Sequence, residues 1–77
     1  MKRESAQAVS KLLLEASNLL NEAVRIVKDA EPEEDFKKVR AKLGNIMFDI
    51  YTEVLAPLYF EHPEVAPKEL RKPYESK

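Results

Sequence analysis

Apolar residues recur every three or four positions through two long stretches, residues 1–31 and 33–56, which contain no proline. A period near 3.6 residues is typical of amphipathic α-helices, and no β-type alternation competes with it. Pro32 suits the first turn of a second helix, and the three acidic residues after it suit the positive end of the helix dipole. The sequence therefore predicts two antiparallel helices of about 26 residues each, joined by a tight turn at residues 29–33.

The first predicted helix carries a broad apolar arc, with polar residues opposite. On a helical wheel the arc spans roughly 160°, and Leu14 is the only large apolar residue outside it. One neighbouring helix covers a narrower seam, so this arc predicts two neighbours, as in a four-helix bundle. The residues of the arc are Ala6, Val9, Leu12, Leu13, Ala16, Leu19, Leu20, Ala23, Val24, Ile26, Val27 and Ala30.

The second predicted helix carries two apolar seams. The seam expected to face the first helix comprises Phe36, Val39, Leu43, Ile46, Met47, Ile50, Val54 and Leu58. The other, called the second seam, comprises Ala41, Gly44, Phe48, Tyr51 and Leu55, and Tyr59 extends it if the helix survives Pro57. A mid-helix glycine costs about 0.5–1 kcal/mol relative to alanine, so Gly44 indicates close packing there, unless it is merely tolerated.

The C-terminal segment, residues 61–77, is punctuated by three prolines that preclude a long helix. One short helical turn at residues 67–72 is compatible with them. Spaced apolar residues argue against a free tail, so the segment either folds back over the second seam or docks on a partner. The chain thus divides into a helical hairpin, residues 1–60, and this proline-rich segment. The apolar residues are Val65, Leu70 and Tyr74, with Phe60 just before the segment.

With 77 residues and no cysteine, the chain is near the lower limit for a self-sufficient core and has no disulfide to support it. Small chains of this kind usually need either covalent or metal staples or oligomerisation. We therefore predict an all-α homodimer, in which two hairpins form a four-helix bundle. The leading interface candidates are Gly44, Phe48, Tyr51, Leu55, Tyr59 and Phe60.

The charge pattern disfavours nucleic acid as a partner. The net charge is −1, which creates no long-range attraction for phosphates. A basic cluster occurs in residues 37–42, but helical spacing spreads it around the helix, and Glu33 and Glu34 are placed to pair with it. A phosphate-binding surface needs a continuous basic stripe, which this pattern does not supply.

Candidate chemistry is sparse. His62 is the only imidazole, nothing in the spacing ties it to a serine, and no glycine-rich loop is present. Asp49 and Glu53 lie one helical turn apart, with Glu61 and His62 further on, so a bridging cation is conceivable, but two solvated acids are the favoured interpretation. The sequence predicts no catalytic, cofactor or metal site.

Targeting signals are also missing from the pattern. Lys11 and Glu15 interrupt any signal-like apolar run, and no stretch approaches the roughly 20 residues of a membrane span. We expect a soluble protein without a membrane partner, and the lack of cysteine fits a reducing cytoplasm.

These features favour a non-enzymatic interaction or regulatory protein that works as a helical homodimer, with a further protein partner possible. Two alternatives stay open: a small nucleic-acid-binding regulator, and a toxin-neutralising protein of immunity or antitoxin type. Salt-dependent binding to RNA or DNA would favour the first alternative. Stoichiometric co-purification with one polypeptide would favour the second alternative or the interaction protein.

Overall fold

The computed structural model describes residues 1–75, and its elements there are all helical, as predicted. Ser76 and Lys77, the end of the predicted C-terminal segment, lie outside the described residues. The elements in chain order are α1 (Arg3–Ala30), α2 (Glu33–Asp49), a π-helical segment (Ile50–Leu55), α3 (Ala56–Glu61), a 3-10 turn (Pro63–Val65) and α4 (Lys68–Glu75).

The connection between α1 and α2 is two residues long. Glu31 is extended, and its N–H closes α1 by donating to the carbonyl of Val27 at 2.9 Å. Pro32 cannot continue α1, but its carbonyl accepts the N–H groups of Asp35 and Phe36 at 3.0 and 3.1 Å, which starts α2. So short a connection returns the chain at once, and α2 packs alongside α1.

The second helix passes through Pro57 and continues to Glu61, so that α2, the π-helical segment and α3 form one rod over residues 33–61. In a regular α-helix the ring of Pro57 would collide with the carbonyl of Glu53, four residues back. The π turn before the proline relieves this collision by widening the helix. There the N–H of Ala56 donates to the carbonyl of Tyr51, five residues back.

The π-helical segment also shifts which residues face α1. In a straight α-helix Val54 would follow Ile50 on that face, as the sequence analysis predicted. The wider turn places Leu55 there instead, so Leu55 is 2% exposed and Val54 is 39% exposed. Ile46, also predicted to face α1, is exposed. The assignment of Val54 and Ile46 to the buried seam was therefore wrong.

Residues 62–75, hereafter the tail, fold back on the helices. The rod ends where the N–H of His62 donates to the carbonyl of Leu58 at 2.8 Å, and the 3-10 turn then packs on α1. Two turns of helix follow in α4, which is longer than the predicted turn at residues 67–72. The guanidinium of Arg71 ties α4 to the 3-10 turn by donating to the carbonyls of Ala66 and Glu64 at 3.0 and 3.2 Å.

Tail packing accounts for Leu14, the apolar residue outside the predicted arc. Leu14 is half-buried against the core and lines a groove with Val65 and Pro67 of the tail. Its neighbour on the chain, Leu13, also packs on the core. The first helix is therefore apolar on one extra side only where the tail covers it.

Buried residues occur at one end of the molecule only. We call residues 1–10 and 55–75 the tail pole, and residues 11–54, where none is buried, the turn half. Leu20, Leu43 and Ile50, which the wheel predicts to be core, are only half-buried. Leu20 and Leu43 lie where the molecule is just two helices thick, and Ile50 lies at the edge of the core. The buried residues of the tail pole are Ala6, Ser10, Leu55, Leu58, Tyr59, Ala66 and Tyr74.

The molecule is elongated, with principal extents of 46 × 23 × 19 Å. Crossing a membrane would need a helix both longer in its apolar run and poorer in charge than any found in residues 1–75.

Candidate interaction surface

Three large apolar side chains form an exposed row along α1. Leu12, Leu19 and Ile26 are spaced seven residues apart and are 61, 69 and 66% exposed. Seven residues are nearly two helical turns, so the three side chains lie on one face, here called the α1 stripe. Single exposed apolar residues are normal, but a row of three on one helix face is a candidate interaction surface.

The gaps in the α1 stripe are filled by small and acidic residues. Ala16 and Ala23 lie one turn from its members on one flank, and Glu15 and Glu22 lie one turn away on the other. Glu22 forms a salt bridge with Arg25, three residues on. The α1 stripe therefore has an alanine flank that permits close approach and a charged flank in solvent.

The part of α2 in the turn half exposes less apolar surface next to α1. Ile46 is exposed there, and the exposed residues one turn before and after it are Lys42 and Asp49. An isolated apolar residue between two charges adds little to an interaction surface. On this side of α2 the exposed apolar surface is therefore small, and the more exposed Phe48 lies on the second seam instead.

The predicted second seam is uncovered at Gly44 and Phe48. A Cβ built on Gly44 would meet nothing within 4 Å, so the close packing expected there is absent within the chain. Phe48, one turn on, is as exposed as Ile26. Tyr51 is half-buried, and its hydroxyl is hydrogen-bonded to the hydroxyl of Tyr74 in the tail. The tail therefore covers the second seam only from Tyr51 onward.

The remaining predicted interface residues belong to the tail pole. Leu55 and Tyr59 are buried within the chain, and the Tyr59 hydroxyl shares a 2.6 Å hydrogen bond with that of Ser10 in α1. Phe60 is exposed, although its ring meets Tyr74 edge-on at a centroid distance of 4.7 Å. The structure thus leaves Gly44, Phe48 and Phe60 accessible.

Tyr74 holds the tail against the rod with an uncharged phenol side chain. Burial raises its pKa to about 12, and the hydrogen bond with Tyr51 adds to this effect because it favours the protonated form. The ring also packs edge-on against Tyr59 at a centroid distance of 5.5 Å. Contact between the tail and the rod therefore depends on an uncharged, buried tyrosine.

Charged residues link the N-terminus to the start of the tail. The Met1 amine lies 3.2 Å from a carboxylate oxygen of Glu61, and the Arg3 guanidinium donates to Glu64 at 3.3 Å. A ring nitrogen of His62 lies 2.7 Å from the Met1 carbonyl oxygen. The pKa of Glu64 is lowered, first by a backbone hydrogen bond and then by His62 and Arg3. These are exposed or partly exposed contacts, which position the tail but contribute modestly to stability.

The groove between α1 and the tail offers little chemistry. It is lined by Glu4, Lys11 and the Ser10 hydroxyl, and that hydroxyl is occupied by Tyr59. Residues 1–75 contain no group of three or more metal-ligating side chains of His, Cys, Asp or Glu. Exposed apolar side chains are the most prominent surface feature of the described residues.

No protein-family model, curated protein or solved structure matches the chain. The α1 stripe is therefore interpreted from its own chemistry. Its residues all lie in the apolar arc predicted for the first helix, and their seven-residue spacing is the sequence signal that distinguishes them. The arc as a whole concealed that signal, because most of its other large members, such as Leu13, Leu20 and Val24, are half-buried.

Proposed function

We propose that the protein is a non-enzymatic interaction protein, that it acts as a homodimer of helical hairpins, and that the α1 stripe is its self-association surface. The observation that carries this proposal is the row of Leu12, Leu19 and Ile26, each more than half exposed. In water such a row favours association, because pairing removes apolar area from solvent. The surfaces that the dimer leaves free would hold or regulate a further protein.

The accessible surface of the single chain supports this proposal. Folded monomers of 8.9 kDa expose about 4,800 Å² by the usual scaling of surface with mass. This chain exposes 5847 Å², an excess of about 1,000 Å² over that scaling. A standard protein interface buries about 800 Å² on each partner, so the excess is close to what one stable dimer contact removes.

The shape supports the same conclusion. A pair of helices can bury only the sides that face each other, which is why Leu20 and Leu43 are half-buried. A second copy laid along the 46 Å length of the first would add the missing layer. The product would be a four-helix bundle, with the α1 stripe inside it.

Light scattering at micromolar concentration tests the proposal, with Leu19→Asp as the disruptive variant. We expect wild type at twice its 8.9 kDa mass and Leu19→Asp at the monomer mass, because a carboxylate in the contact would be desolvated. Phe48→Asp is the matched control, since Phe48 is comparably exposed but lies on the second seam; it should remain dimeric.

A helical wild-type monomer under these conditions would overturn the proposal. If Phe48→Asp separated the copies and Leu19→Asp did not, the second seam would be the self-association surface instead.

A further inference from the structure

Two helices could pack on the α1 stripe of the proposed dimer, namely α1 or α2 of the other copy. Exposed residues on α2 near Ile46 include Lys42 and Asp49, one turn to either side. Placing these charges against Leu19 would remove them from water without partners. Only α1 offers an equivalent apolar row, so the stripe fits α1 of the second copy.

Side-chain size then selects the direction of the pair. In a parallel, in-register pair, Leu19 would meet Leu19 and Ala23 would meet Ala23. The leucines would hold the two helices apart and leave gaps at the alanines. These gaps would reduce the van der Waals contact between the copies. An antiparallel pair can place every large residue of the stripe against an alanine: Leu12 on Ala30, Leu19 on Ala23, and Ile26 on Ala16.

Charge favours the same direction. Residues 29–35 at the turn contain five acidic residues and no basic one. A parallel pair would bring two such clusters together, at a cost in repulsion. An antiparallel pair places the two acidic clusters at opposite ends of the assembly. The acidic flanks of the two stripes then share one side of the pair, where Arg25 forms a salt bridge with Glu22.

The antiparallel register also matches the distribution of buried residues. Pairing residues 12–30 of one copy with residues 30–12 of the other overlaps the two turn halves, where no residue is buried. The tail poles, which already have a core, would project at opposite ends. The overlap therefore covers the part of the molecule that lacks a third layer.

We infer that two copies associate through α1 in an antiparallel pair, with Ile26 of each copy against Ala16 of the other. This inference rests on the proposed homodimer and specifies its geometry. It predicts a symmetry axis near residue 21, the midpoint between these positions. The second seam, which lies on α2, remains outside the α1–α1 contact and is present twice in the assembly.

Disulfide trapping tests the geometry cleanly, because the chain has no cysteine of its own. The variants are Ala16→Cys and Ile26→Cys, oxidised separately and after being mixed, denatured and refolded together. In the antiparallel pair, residue 16 of one copy is ten residues, or about 15 Å along the helix axis, from residue 16 of the other, and the same holds for residue 26. Neither variant should therefore cross-link alone. The refolded mixture should cross-link, joining one chain of each variant. Phe48→Cys, outside the contact, should not cross-link.

The outcomes separate this inference from the proposed function. Cross-linking of each variant alone would show a parallel pair and overturn the inference. A dimeric mass without cross-linking of the mixture would show contact through other surfaces, which also overturns the inference but leaves the homodimer intact. A monomeric mass for the reduced variants and wild type would overturn both.

Discussion

The tail pole and the turn half are built from the same two helices, yet only one of them has a core. In the tail pole, Leu58 and Tyr59 are nearly or wholly inaccessible to solvent. In the turn half, Leu20 and Leu43 occupy the equivalent inner positions and are only half-buried. The two regions differ by the tail, which adds a third element at one end.

This difference shows that apolar periodicity alone does not create a core. An amphipathic helix must bury its apolar face against other elements, and two cylinders in contact leave most of each face at an edge. The tail solves this problem over the last turns of the rod. Between Glu15 and Asp49 the helices have no such cover within the chain, and their surplus apolar surface supports the proposed second copy.

If the tail pole and the turn half differ as described, truncating a leucine should destabilise them unequally. This is the largest expected effect. Leu58→Ala should cost ~2–5 kcal/mol of unfolding free energy, because the side chain is buried. Leu19→Ala should cost under about 1 kcal/mol in dilute protein, where Leu19 is largely in water. Urea unfolding at a series of protein concentrations measures both.

Concentration supplies the internal control for this pair. Raising the protein concentration should enlarge the loss for Leu19→Ala, since the proposed dimer would stabilise the folded wild type by mass action. Equal losses for both variants in dilute protein would contradict the division into two regions.

A second prediction concerns pH and the tail pole alone. The ordinary pKa of a tyrosine is about 10, and that of Tyr74 is raised to about 12 in the folded chain. The neutral form is thus favoured by folding, so the contribution of Tyr74 is complete below pH 10 and is lost as the pH rises to about 12. The urea midpoint of the wild-type chain should therefore fall over this pH range.

Tyr74→Phe is the control, because it keeps the ring but cannot ionise. It should lose about 0.5–1.5 kcal/mol at neutral pH, from the hydrogen bond with Tyr51, and show a weaker response to alkali. An unchanged alkaline response would show that other groups release the tail.

The smallest expected effect is at Gly44, in the turn half. Gly44→Ala should stabilise the chain by about 0.5–1 kcal/mol, because the new methyl group meets no neighbouring atom and glycine is a poor helix former. The urea midpoint measures this gain. Gly44→Leu should leave the dimer mass unchanged. A dissociated Gly44→Leu would instead place the second seam in the subunit contact.

The sequence was sufficient to predict the helices because local chemistry decides where they begin and end. Pro32 and the acidic residues after it mark the turn to within a residue of the observed connection. The passage through Pro57 could not be predicted in detail. Proline normally breaks a helix, and only the wider turn from Ile50 to Leu55 accommodates it here.

The candidate surface was harder to predict than the fold, because the π turn changes which residues of the rod share a face. The wheel assumed 100° per residue throughout, which placed Leu55 and Tyr59 on the second seam with Phe48 and left open whether the tail or a partner covers them. Beyond the π turn that assumption fails, and both residues are buried in the tail pole. The α1 stripe lay within the predicted arc, but separating it from the side facing α2 required the structure.

The π turn limits where residues can be inserted into or deleted from this chain. Its extra residue sets the rotation between the apolar face of α2 that packs on α1 and the buried aromatic residues around Tyr59. Losing a single residue from 50–55 would rotate everything beyond it by about 100° and turn Tyr59 away from Ser10. Relatives of this chain should therefore conserve the number of residues between Leu43 and Tyr59 more strictly than the identities of the exposed ones.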